Sequence, residues 1–178
     1  MGFLSWIGKL QREKELEKQI EQKKQEEMWH RIELFEEYEN DLNAKRLNKR
    51  YSDLFVEIGQ RYTALNKSVG FSGREGTILI RQCDEAISLY NELIPIWKKY
   101  EEDIGLCPFY AKKAMICEKR GEYDRAAQVC VTAIRAGFDE DGTKGKMQGR
   151  LARMLKKGRL QPTPEMKQMM GEITGESE

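Results

Sequence analysis

The amino-acid sequence predicts an all-α protein of antiparallel helical hairpins behind a long charged N-terminal helix. Three observations carry this. Apolar residues recur every three or four positions from Met28 to Leu65 and from Ile80 to Trp97, which gathers them on one face of a helix. Residues 11–27 are almost all Glu, Lys, Gln and Arg, strong helix formers. Pro108 to Gly137 reads as two short helices around Arg120-Gly121-Glu122-Tyr123-Asp124, with small Ala114, Ala126 and Ala133 where the helices would touch.

Size and composition set the division. The chain has 178 residues, 39% hydrophobic and 34% charged. That suits one domain plus an exposed extension. The expected parts are an apolar leader and charged helix (1–27), a helical domain (28–160), and a short helix with a tail (161–178). A net charge of +1 excludes any global electrostatic argument for nucleic acid.

From the start, Phe3, Leu4, Ile7 and Leu10 recur at helical spacing, with Trp6 beside them. Nine residues cannot span a bilayer, which takes roughly 20. They can pack on the protein or on a second copy, or lie in a membrane surface. Myristoylation at Gly2 wants Ser or Thr at position 6, which is Trp6. Residues 11–27 hold only Leu16 and Ile20 as aliphatics, and Glu15–Lys18, Glu21–Lys24 and Glu27–Arg31 stand at ion-pair spacing. This is a solvated helix with a thin seam. A coiled coil wants more apolar positions than two.

From Met28 the seam thickens through Ile32, Phe35 and Leu42, flanked by Trp29 and Tyr38, all read as core. A second run follows in Leu47, Tyr51, Leu54, Ile58, Tyr62 and Leu65. The step from Leu42 to Leu47 breaks phase among Asn40, Asp41, Asn43 and Asn48, predicting a bend or a rotating buried face. Residues 66–76 are a loop with Gly70, Gly73 and Gly76. With no GK[ST] ending it is not a nucleotide loop. Thr77 is the expected N-cap of a helix to about Tyr100, kinked by Pro95.

Pro108 suits a first helical turn, and Gly121 and Gly137 suit left-handed helix ends. Asp139-Glu140-Asp141-Gly142 lacks the ligand alternation of a calcium loop. Residues 144–159 carry seven cations and no acid, with Met147, Leu151, Met154 and Leu155 on one face. Lys146, Arg150, Arg153 and Lys157 are the candidate phosphate contacts if this helix binds nucleic acid. The alternative is a capping helix paired with the acidic loop. Thr163-Pro164-Glu165 then opens a short last helix.

Cys83, Cys107, Cys117 and Cys130 lack CxxC spacing, and His30 is the only histidine, so no zinc site and no cofactor are expected. Cys83, Cys117 and Cys130 read as buried apolar residues, with a Cys117–Cys130 disulfide as the alternative. Reduced thiols, with neither signal peptide nor membrane span, point to a cytoplasmic protein, membrane-associated if the leader binds lipid. No catalytic residue is assigned. His30 has no neighbouring nucleophile, and Glu36, Glu37 and Glu39 form a solvated charge run.

Pro108 to Gly137 resembles a tetratricopeptide repeat. Ala114, Ala126 and Ala133 fall on that family's small positions, Gly121 and Tyr123 on its turn, and Tyr110 on its first aromatic. Lys113, Cys117, Cys130 and Phe138 depart from it, standing where Leu, two aromatics and Pro are usual. A weaker echo runs through Ala86 and Tyr90, 40 residues upstream instead of 34, with residues 51–65 as its first half. About half the chain is covered. The resemblance implies a non-enzymatic adaptor that holds a peptide or helix in a groove, with Lys112, Met115 and Lys119 as groove residues. Self-association through the N-terminal helix is a further expected contact.

Overall fold

The computed structural model describes residues 3–166 except 69, 139, 144, 160, 162 and 165, with side chains from residue 12. Six helices follow in order: α1 (Phe3–Asn40), α2 (Leu42–Lys67), α3 (Arg74–Lys99), α4 (Phe109–Lys119), α5 (Tyr123–Arg135) and α6 (Lys146–Lys156). No strand occurs among the described residues. Each helix packs chiefly on the next in sequence, from α1 on α2 through α5 on α6.

The phase break at Asp41 is a bend. α1 stops at Asn40, and the Asp41 carboxylate accepts from the Ala44 amide at 2.9 Å, capping α2. A cap of this kind satisfies an amide that has no partner inside the helix. Leu54, Ile58 and Leu65 of the second run are buried, with Tyr51 and Tyr62 half-buried.

The core expected over 28–42 is not there. Trp29 is 60%, Phe35 62% and Leu42 80% exposed, and Met28 and Ile32 are exposed as well. The reason is packing, not helix formation: the described side chains of α1 meet the body near its C-terminal end, from His30 onward. There the Tyr38 and Tyr100 rings meet edge to face at 5.3 Å, and the Tyr100 hydroxyl donates to Asp41 at 3.0 Å. Residues 12–33 are exposed without exception, a rod roughly 33 Å long at 1.5 Å per residue. None of the three expected ion pairs along it closes within 4 Å; closed helical pairs are Lys49–Asp53 and Glu122–Arg125.

α3 starts three residues before Thr77. Gly73 is its N-cap, and the Thr77 hydroxyl donates back to the Gly73 carbonyl at 3.2 Å. The helix runs on through Pro95 to Lys99. Gly76 is where loop and helix touch: a Cβ there would lie 1.9 Å from the Phe71 carbonyl oxygen. Arg120, at the end of α4, donates to the carbonyls of Phe71 and Gly73 at 2.9 and 3.0 Å. The glycine loop is therefore a structural buckle.

The α4–α5 hairpin is as expected. Gly121 has φ +76°, and its neighbours close the helix end: Glu122 N–H donates to Cys117 C=O at 2.9 Å and Gly121 N–H to Glu118 C=O at 3.0 Å. A non-glycine residue resists that φ. Ala114, Ala126 and Ala133 have no exposed surface, so the two helices approach closely over them. Lys113 finds a use that Leu could not supply, an ion pair with Asp84 on α3. All four cysteines are buried and free, so the Cys117–Cys130 disulfide is not formed.

Candidate interaction surface

Aromatic packing builds the site from within. Tyr90 on α3 contacts Tyr51, Trp97 and Phe138, with ring centroids 5.1–5.9 Å apart. Phe138 stacks on Tyr110 at 5.8 Å. Phe138, which replaces the proline expected of the resemblance, thus joins the α5–α6 connection to α3 and α4. The Tyr90 hydroxyl donates to the Gly105 carbonyl at 2.5 Å, fixing the loop ahead of α4.

These contacts leave a recess of about 260 Å³ beside α4. Leu106, Pro108, Ala111, Met115 and Phe138 supply its apolar wall, with Lys112 and Glu140 at the rim. Leu106 is 74% exposed. The volume falls below the roughly 300–1,000 Å³ of small-molecule sites, so one or two side chains fit better than a cofactor.

Two of the three expected groove residues, Lys112 and Met115, line this recess; Lys119 does not. All three gather around Tyr62 of α2. The Tyr62 hydroxyl donates to Met115 Sδ at 3.9 Å, and the Lys112 and Lys119 ammoniums lie 5.3 and 5.8 Å from its ring centroid. Lys119 is engaged further, donating to Asn66 and lying 4.9 Å from the Phe71 centroid. It belongs to the α2–α4 contact and not to an open groove.

The basic helix is divided. Met147, Leu151 and Met154 are buried on α5 as a cap. Arg150 is 6% exposed and clamped, its guanidinium 2.5 Å from Glu118 Oε1 and 3.0 Å from Asp141 Oδ2. As a phosphate contact it is corrected: two carboxylates already hold it. Lys146 pairs with Glu140 at 2.6 Å, while Arg153 and Lys157 stay exposed. Burial opposes ionisation of Asp141, but bonds from the Thr143 hydroxyl and amide and the Arg150 charge prevail, holding its carboxyl below the usual aspartate value. This clamp fixes the loop bearing Glu140 and Asp141 at the recess, and with Lys146 on Glu140 it is the capping helix paired with the acidic loop that the sequence offered as the alternative to nucleic-acid binding.

All four thiols are buried, and burial raises each above the ordinary cysteine value. Burial pushes Cys107 up to about 11 and Cys83 and Cys130 up to about 12; a thiol that stays protonated attacks poorly. His30 lies 3.4 Å from Glu101. Among the described residues no group of His, Cys, Asp and Glu could hold a metal ion, and no helix is long and apolar enough to cross a membrane. The leader side chains Phe3, Leu4, Trp6 and Ile7 lie outside the described residues. No family model, curated protein or solved structure matches the chain.

Proposed function

We propose that the protein is a non-enzymatic adaptor of the helical-repeat type, seating an apolar side chain of a peptide or helix beside α4. The observation that carries this is the recess walled by Leu106, Pro108, Met115 and Phe138. Its apolar wall supplies affinity, Met115 adapts to the shape of the guest, and Lys112 and Glu140 at the rim orient polar groups. The sequential packing of α2 to α6 and the buried Ala114, Ala126 and Ala133 support a tetratricopeptide-like reading of the scaffold.

The nucleic-acid alternative is weaker, because Arg150 is enclosed and Lys146 faces Glu140. Selection of peptides from a displayed library on the purified chain tests the adaptor. Peptides with an apolar anchor should bind the parent, lose most affinity on Leu106→Asp, and keep it on Lys157→Glu. Loss on Lys157→Glu alone, with steep salt dependence, would move the assignment to the basic helix.

A further inference from the structure

The recess beside α4 opens onto a wider face shared with α2. Phe55, Gly59, Tyr62 and Asn66 recur on α2 at spacings of four, three and four, one stripe of that helix. Three of them touch α4: the Phe55 ring meets Phe109 at 5.9 Å, Tyr62 reaches Met115, and Asn66 accepts from Lys119. Phe55 is still 51% exposed. A Cβ at Gly59 would meet nothing within 4 Å, so the stripe is open at its middle.

The charge on this face is one-sided. The α2 stripe carries none. Both acids at the recess are occupied: Glu140 by Lys146 at 2.6 Å, and Asp141 by Arg150 at 3.0 Å and the Thr143 hydroxyl at 2.6 Å. Lys112 and Lys119 form no ion pair with a described carboxylate. Both lie over the Tyr62 ring, and Lys119 also meets the Phe71 ring and the neutral amide of Asn66. A ring face attracts an ammonium without cancelling its charge. Of the two, Lys112 also lines the recess, which puts a cation without a counter-charge at the edge of the apolar wall. Lys119, about 10 Å farther along the helix, extends the same positive field.

We infer that the occupant of the recess is a segment of a foreign protein with an Asp or Glu close to its apolar anchor, and that Lys112 selects that acid. The inference rests on the adaptor reading and adds the charge of the partner to it. The anchor fills the space between Leu106, Met115 and Phe138, while the carboxylate meets the Lys112 ammonium. A cationic neighbour of the anchor is disfavoured, because Glu140 and Asp141 already have their counter-charges.

Parallel selection from one displayed library of randomised peptides on the parent, Lys112→Met and Lys112→Glu tests this. On the parent, Asp or Glu should be enriched within about four residues of the apolar anchor, one helical turn. Lys112→Met should keep the anchor and lose the acid, with acidic peptides weakened up to about fivefold, the most that one exposed pair contributes. Lys112→Glu should put Lys or Arg in place of the acid, which a folding defect would not do. An anchor selected on the parent with no acid beside it would overturn this inference and leave the adaptor reading standing. No apolar anchor on any of the three chains would sink both. A synthetic copy of residues 167–178, which holds Met169, Met170 and Glu172, that displaces the selected peptides better than they displace one another would give the recess to the chain itself. A parent dimer in sedimentation that Lys112→Glu dissociates would give it to a second copy. Either result would overturn the foreign partner.

Discussion

Gly76 and Asp141 show how much a single side chain decides. At Gly76 a methyl group would meet backbone, the Phe71 carbonyl at 1.9 Å, which cannot swing aside as a side chain can. Gly76→Ala should therefore cost about 3 kcal/mol, the upper end for overpacking, read as a lower urea midpoint with an unchanged slope. The same change at exposed Gly105, where a Cβ meets nothing within 4 Å, should be close to neutral. Asp141→Asn removes one of the two carboxylates around buried Arg150 but leaves Glu118. The cost should be about 1–3 kcal/mol, below that of stripping a buried charge of all partners. The pH dependence has a definite sign. The folded carboxyl is held below 3.8, so its contribution is present above that value and is lost as pH falls through the lower folded value. Thermal midpoints of the parent should drop faster between about pH 5 and pH 2 than those of Asp141→Asn.

Among the elements, the α4–α5 hairpin was legible because its signals are local. A turn glycine, a proline at the start and methyl-sized residues at fixed spacing need no distant partner to be read. Ala126→Leu tests the close crossing: with no exposed surface at Ala126, it should destabilise by about 1–3 kcal/mol through overpacking, whereas a neutral midpoint would mean that the helices can separate. The start of α3 was misplaced because Thr77 has the chemistry of a cap, while the signal that starts the helix earlier is the buckle of Arg120 on Phe71 and Gly73, 47–49 residues away. The recess was legible only in part. Lys112 and Met115 follow from position on the hairpin, but Leu106 and Phe138 reach it through Tyr90, whose partners no periodicity could name. For the basic helix the pairing with the acidic loop was legible, but composition reports seven cations in a segment without showing that Arg150 is the one that folds inward.

At the scale of the molecule, two kinds of helix share one period. In α2 to α6 the apolar stripe is matched by a neighbour in sequence, so local pattern and burial agree. In α1 the same pattern meets no cover among the described residues, and Met28, Ile32 and Phe35, read as core from spacing alone, are exposed. Periodicity specifies a face and does not specify its cover. The rod therefore contributes little to the stability of the body, since its described contacts are confined to the C-terminal end around Tyr38, Tyr100 and Asp41. Deletion of residues 1–27 should leave the unfolding free energy of the remainder within about 0.5 kcal/mol of that of the full chain, because every residue removed with a described side chain is exposed. Circular dichroism should then show helix lost only in proportion to the residues removed. A truncated chain that unfolds cooperatively at a much lower midpoint would mean that the rod folds back on the body.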